Sequence, residues 1–298
     1  CASSELEIVD IKEIKEYRIL RELGRGGMGV VYKAWHKHTG RLVALKKIHP
    51  EITMDKKANL FFQREMAVMR DLIHPNIVRL LDQGMVGKEH YFVSEYVPGG
   101  DANKLVTNVY KGPVSVKEAC EIVCQALEGL DFAHKHPKVF VHRDIKPQNI
   151  LLNKTKTGRI IAKVSDFGLA KSSEEAGQSG MTGKEFYGTL LFMAPEQILN
   201  YRFVKPPADV YSMGVTLYYL LTASFPYKFS TFEELIAAVL EDPRIPIREQ
   251  NPDIPKELAR TVDKAIRKDV NERFQTAREF KEAIQRACKQ RRDNYGYF

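Results

Sequence analysis

Strand-type patterning near the N-terminus and helix-type patterning after it predict a fold of the α+β class. Leu23 to Val31 reads as strand, glycine loop, strand, with Gly24, Gly26, Gly27 and Gly29 in the loop. Val30, Val31, Tyr32 and Ala34, then Arg41 to Lys46, are rich in branched and apolar residues, and a His38-Thr39-Gly40 turn signal separates them. Leu60 to Leu72 instead carries its apolar residues at helical spacing. Size is the third observation: 298 residues with 44% hydrophobic content can bury a large core.

The most informative stretch is Val141 to Asn149, which sets an acid, two cations and an amide at fixed offsets. That set suits phosphoryl transfer, which needs a carboxylate to orient the attacking hydroxyl, an amide oxygen on a divalent metal, and cations against the phosphate oxygens. Asp144, Asn149 and Lys146 fill those roles in order. Upstream, the glycines lie where backbone must approach a polyphosphate closely. A G-x-G-x-x-G run also marks dinucleotide folds, but there a helix follows, whereas strand-like residues follow here. Lys46 ends the next apolar run, and Glu65 lies on the helical segment where it can pair with a lysine from a neighbouring strand. Asp166, within Val164 to Gly168, adds a second carboxylate, and Ala194-Pro195-Glu196 follows.

These ordered motifs resemble the eukaryotic-type protein kinase family from Tyr17 to Ala287, and the glycine-loop and Ala194-Pro195-Glu196-Gln197 forms are similar to bacterial members. The resemblance implies a bilobal fold, with a small β-rich lobe over 17–97 and a larger, mainly helical lobe over 98–288. Residues 1–16 would be an extension and 289–298 a basic tail. It implies ATP and magnesium, or manganese, as cofactors. Gly24, Gly26 and Gly29, with Leu23, Arg25, Gly27 and Met28 around them, would cover the ATP phosphates. Lys46, held by Glu65, would contact the α- and β-phosphates. Asp144 would be the base, Lys146 a γ-phosphate contact, and Asn149 and Asp166 the metal ligands. Val31, Ala44 and Leu151 would enclose adenine, backbone groups of Glu95 and Val97 would bind its edge, and Asp101 falls near the ribose. Ser94 would guard the pocket behind adenine, where a small residue leaves space. Leu80, Met69, Phe167 and His142 would stack in the core, with Asp209 anchoring the last two, and Glu196 would pair with Arg273.

The Asp144-x-Lys146-Pro147-x-Asn149 form and Thr189 are those of Ser/Thr kinases, so Ser and Thr side chains of proteins, including the chain itself, are the expected targets. Gln148 replaces the acid often found in kinases that prefer basic substrates, and Leu190 and Leu191 imply an apolar side chain after the target residue. Arg143 and Lys171 imply a cationic pocket for an activation-segment anion. Glu185 occupies the place where several members carry a phosphothreonine, and Thr182 lies just before it. Basal activity is expected from Glu185 with Arg143, raised when Thr182 is autophosphorylated. A nucleotide-binding pseudokinase or scaffold is the alternative, and the presence of Lys46, Glu65, Asp144, Asn149 and Asp166 together weighs against it.

The charge of +8 is spread along the chain apart from Lys289, Arg291 and Arg292, and no zinc, RNA-binding or repeat pattern accompanies it, so nucleic acid is not an expected partner. Cys120 and Cys124 share a helix face and read, with Cys1 and Cys288, as reduced thiols without metal-ligand spacing. No apolar run reaches the roughly 18 residues of a membrane span, and no signal peptide opens the chain. A cytoplasmic location without membrane contact is therefore expected of this stretch. The start at Cys1 is expected of a fragment of a longer protein. The family resemblance also implies a homodimer through the small lobes and signalling by phosphorylation in trans.

Overall fold

The computed structural model describes residues 13–27, 29–50, 69–87, 89–167 and 188–294. It divides between Tyr96 and Val97 into a strand unit and a helical unit, with Asp71–Val78 belonging to the helical one.

The strand unit is an antiparallel sheet in the order β1-β2-β3-β4-β6-β5. Its strands are β1 (Glu13–Ile14), β2 (Tyr17–Gly26), β3 (Gly29–His36), β4 (Leu42–Ile48), β5 (Leu80–Val86) and β6 (Glu89–Glu95). Period-two alternation sets its buried face: Tyr17 and Ile19 on β2, Val43 and Leu45 on β4, and Tyr91 and Val93 on β6 close over Ile14, Ala34 and half-buried Tyr32. At the β2–β3 turn Gly26 pairs with Gly29. Gly29 has φ +152°, and a Cβ there would lie 2.0 Å from the Lys47 carbonyl oxygen, so no other residue fits.

In the helical unit, α1 (Val116–His134) starts at Ser115, whose hydroxyl accepts from Glu118 N at 3.3 Å. Ala119, Ile122, Val123, Ala126, Leu127, Leu130 and Ala133 form its fully buried stripe. Gly129 on this helix passes so close to the preceding segment that a Cβ would sit 2.6 Å from the Asn76 carbonyl oxygen. Asn76 in turn donates through Nδ2 to the Ala162 carbonyl at 2.8 Å. A two-stranded ribbon, β7 (Ile150–Lys154) with β8 (Ile160–Val164), follows a 3₁₀ turn at Pro147–Asn149. Beyond residue 188 come α2 (Pro195–Leu199), α3 (Pro206–Thr222), α4 (Phe232–Leu240), α5 (Ile247–Gln250), α6 (Lys256–Ala265) and α7 (Ala277–Asn294). Helix α3 is buried along almost its whole length and stops at Ala223, which adopts a left-handed conformation. No helix among the described residues is long and apolar enough to cross a membrane.

Arg273 ties α2 to the C-terminal helices. Its side chain is 0% exposed, and two of its nitrogens reach the two Glu196 oxygens at 2.8 Å each. It also donates to the Lys268 carbonyl at 2.8 Å and lies over the Tyr211 ring, 4.8 Å from the centroid. Removing the carboxylate strands a desolvated guanidinium. Glu196→Ala is therefore expected to lower unfolding free energy by about 3–5 kcal/mol in urea titrations. The double variant with Arg273→Met should lose less than the sum of the two single losses, and strictly additive losses would refute the pairing.

Candidate active site

The Val141–Asn149 loop is built around a buried carboxylate on α3. Asp209, wholly out of solvent, accepts His142 N at 2.8 Å and Arg143 N at 2.9 Å, one on each oxygen. His134, at the end of α1, brings Nε2 to the same Oδ2 at 2.8 Å. These bonds hold Arg143 at φ +68°, a left-handed conformation that costs a non-glycine residue about 1–2 kcal/mol. Burial alone would raise the Asp209 carboxyl. The His134 hydrogen bond and charge, His142 and the Arg143 N–H outweigh it and hold the group below its ordinary 3.8.

The ring of His142 links two loops. Its Nδ1 accepts from Asp144 N at 3.2 Å, so Nε2 carries the proton and donates to the Ser165 carbonyl at 2.7 Å. Phe167 meets the same ring edge-on, with centroids 4.6 Å apart. Asp209 thus grips His142 and Arg143, and Phe167 only by way of the His142 ring.

The Asn149 Nδ2 amine donates to the Asp144 carbonyl at 2.7 Å and to Asp144 Oδ2 at 2.9 Å. Both partners are acceptors, which leaves the Asn149 oxygen as the metal-type ligand atom. Lys146 Nζ lies 2.9 Å from Asp144 Oδ1 and donates to the Thr189 hydroxyl at 2.8 Å. Thr189 thus meets Lys146 rather than Asp144. Apart from that ion pair, Asp144 Oδ1 is buried and has no aligned hydrogen-bond donor among the described residues. Asp166 also has positive φ, at +60°, and its carboxylate is 3.5 Å from the Ser165 hydroxyl. Asn149 and Asp166 offer hard oxygen ligands, a donor set that suits magnesium completed by waters and phosphate oxygens. No cluster of three or more His, Cys, Asp or Glu for a metal occurs among the described residues.

The remaining candidate residues fall as follows. Leu151 is half-buried on β7 and bridges Asp101, whose carboxylate caps the next turn by accepting Lys104 N at 3.2 Å. In the strand unit, Lys46 pairs with Val31 on one side and Phe92 on the other, its Nζ 5.8 Å from that ring's centroid. Ala44 and Leu80 flank Ser94 across the sheet. Glu95 N donates to the Arg79 carbonyl at 3.0 Å, and Glu95 Oε1 accepts Arg79 N at 2.9 Å. In the glycine loop, Leu23 is partly exposed and Arg25 pairs with Glu22 at 2.8 Å. Val97 is buried. Leu190 is buried in a cluster with Met193, Tyr227 and Leu235, which leaves half-buried Leu191 as the accessible one of that pair. Arg143 lies over Tyr201, 5.3 Å from the ring centroid. Met28, Glu65, Lys171, Thr182 and Glu185 lie outside the described residues. Sequence reasoning missed His134 and Gln197, the latter donating to the Arg143 carbonyl at 2.6 Å. No motif marks their roles, which only the folded contacts reveal.

The protein kinase domain family matches residues 17–286. The chain belongs to that family. Its members transfer phosphoryl groups from ATP with a divalent metal. This kinase domain is 34% identical to the probable serine/threonine-protein kinase PknB of Lactococcus lactis, over 87% of this chain and 40% of that one. It is 32% identical to the serine/threonine-protein kinase PrkC of Bacillus subtilis, over 91% of this chain and 40% of that protein. It thus spans well under half the length of these relatives. The crystal structure of the Mycobacterium tuberculosis PknI kinase domain superposes with a TM-score of 0.71 at 25% identity, covering 93% of this chain and 98% of that one. The fold is accordingly the protein kinase fold, with a strand-rich and a helical unit.

Because the folded Asp209 carboxyl titrates below 3.8, its stabilising contribution is present above the unfolded value and lost as pH falls through the folded one. The stability gap between native protein and Asp209→Asn is therefore expected to narrow between pH 6 and pH values below about 3.8 in urea titrations. A constant gap would refute the assignment.

Proposed function

We propose that this chain transfers the γ-phosphoryl group of ATP, with magnesium, to Ser and Thr hydroxyls of proteins, including its own. One observation carries the reading: Asp144 presents a buried carboxylate oxygen with an ammonium beside it and no aligned donor among the described residues. A substrate hydroxyl is the donor that completes it. Asp144 Oδ1 accepts that hydroxyl's hydrogen bond and receives its proton as the oxygen attacks the γ-phosphorus and the bond to the β,γ-bridging oxygen breaks, releasing ADP. Lys146 steadies Asp144 and offers a further N–H to the transferred group. Its bond to Thr189 supports Ser/Thr targets, as does the likeness to the serine/threonine-protein kinases PknB and PrkC. Asn149 and Asp166 hold the magnesium, which supplies charge neutralisation on the phosphate oxygens when bound. From the strand unit, the 24–29 loop covers the phosphates and Lys46, with Glu65, contacts them. The family resemblance supports nucleoside-binding roles for Val31, Ala44, the Glu95 and Val97 backbone, Leu151 and Asp101. Signalling from the cytoplasm as part of a longer protein, and pairing through strand units for phosphorylation in trans, belong to the same proposal.

Asp144→Asn is expected to lower kcat on a synthetic Ser/Thr peptide mixture by roughly 10²–10⁴-fold with ATP affinity kept. Lys46→Met should likewise abolish most transfer while the protein stays folded. Native-like turnover in both would sink the proposal.

For control of activity, Arg143 and Lys171 are proposed to face Glu185 in the basal state and phosphorylated Thr182 in the raised state. Phosphatase-treated native protein should then outpace Glu185→Gln in initial velocity, and treatment should slow native protein but not Thr182→Ala. Equal velocities in the first comparison remove the built-in anion, and no slowing in the second removes the phosphate switch.

A further inference from the structure

Gln197 sits on α2 immediately after the Glu196 that Arg273 locks in place, and 2% of it is exposed. Its amide orientation is forced. The Arg143 carbonyl oxygen, 2.6 Å away, only accepts, so the Nε2 amine must face it. The other end of the amide, Oε1, is buried without a partner among the described residues. A buried amide half-satisfied in this way is a costly occupant of a core position that an apolar side chain of similar size fills without penalty. Its single donated bond is what distinguishes glutamine from such a side chain.

The bond lands on the peptide that joins Arg143 to Asp144. The oxygen of that peptide is held by Gln197, and its nitrogen donates to His142 Nδ1 at 3.2 Å. Fixed at both ends, the peptide plane cannot turn. Without the hold on its oxygen, ψ of Arg143 and φ of Asp144 can change, and any change in which the two do not cancel moves the Asp144 carboxylate relative to Lys146 and Asn149. The residue before it is the one at φ +68°, a dihedral that Asp209 holds from the N–H side and that leaves ψ to be fixed from the carbonyl. Asp209 secures the N–H side of Arg143 and leaves its carbonyl side to Gln197.

We propose that Gln197 is a positioning residue: by fixing the Arg143–Asp144 peptide from the carbonyl side, it aims the Asp144 carboxylate at the substrate hydroxyl. It touches neither ATP nor substrate in this role, and the inference rests on the phosphoryl-transfer reading of Asp144. It also gives the Glu196–Arg273 pair a route to the chemistry, because that pair fixes the helix from which Gln197 reaches.

Three measurements on native protein, Gln197→Met and Gln197→Glu test this. With ATP, magnesium and a synthetic Ser/Thr peptide mixture, Gln197→Met is expected to lose ~10-fold or more in kcat, with the KM for ATP changed less than about twofold. Gln197→Glu gives a signature that filling space cannot. Its buried carboxyl donates to the Arg143 carbonyl when protonated and repels it when ionised, so its activity relative to native should rise as pH falls, while the Gln197→Met ratio stays flat. Hydrogen exchange of the Asp144 amide, measured without nucleotide, should be ~10-fold faster in Gln197→Met, while the Arg143 amide held by Asp209 changes less. Exchange reads the peptide directly, so a native chain that transfers no phosphate defeats the kinase reading and leaves exchange to decide the hold. If Gln197→Met does not fold, the pH dependence within Gln197→Glu decides. Native-like kcat with native-like exchange, or equal losses in both variants with flat pH ratios, would overturn the proposal.

Discussion

Asp209 is a charge placed where no water reaches, and the geometry of the Val141–Asn149 loop depends on it. A carboxylate in such a place is tolerable only when each oxygen is met by donors, and here the donors are two consecutive backbone N–H groups and one imidazole. Two successive N–H groups converge on one carboxylate only if the chain turns sharply between them. The left-handed φ of Arg143 supplies that turn. Strain and charge are thus two sides of one arrangement: the carboxylate repays the dihedral, and the dihedral satisfies the carboxylate. Helix α3 makes the anchor rigid, since it is buried on nearly every side.

From that anchor, order spreads through His142. Its ring accepts from Asp144 N and donates to the Ser165 carbonyl, so a single tautomer ties the proposed base to the segment bearing the proposed metal ligand Asp166. Phe167 closes the remaining side by lying edge-on to the ring. Asn149 repeats the strategy on a smaller scale by spending both amine hydrogens on Asp144, which points its own oxygen elsewhere. Asn149 therefore orients its neighbour with one atom and leaves another for a ligand, whereas His142 uses both ring nitrogens within the protein.

The sequence made the parts legible where chemistry dictates residue type at fixed spacing. An Asp, a Lys and an Asn within one short loop can hardly be explained by packing, and Gly29 stands where the Lys47 carbonyl leaves no room for a Cβ. The strands around the glycine loop were legible from hydrophobic period, and the larger helical part was expected from the family resemblance. What could not be read was anything that depends on where a side chain reaches. Gln197 looks like any polar residue near a helix start, and its hydrogen bond crosses to a carbonyl far away in sequence. His134 looks like the end of α1, because its partner lies on α3. Asp209 was legible as an anchor, but its grip falls on Arg143 rather than Phe167. Leu190 and Leu191 looked equivalent in the sequence, and burial separates them.

Lys146 illustrates how the site divides its labour. An ammonium carries three N–H bonds and no acceptor. One goes to Thr189, and the charge sits 2.9 Å from Asp144 Oδ1 without an aligned hydrogen bond to it. A well-aligned bond would occupy one of the two lone pairs on the oxygen that the proposed reaction uses for the substrate hydroxyl, while absence of the cation would leave a buried carboxylate without counter-charge. Close contact with poor alignment meets both demands, because Coulomb attraction depends on distance and a hydrogen bond depends also on direction. Thr189 contributes to this: by accepting one of the three N–H bonds, the threonine hydroxyl helps fix where the ammonium sits beside Asp144.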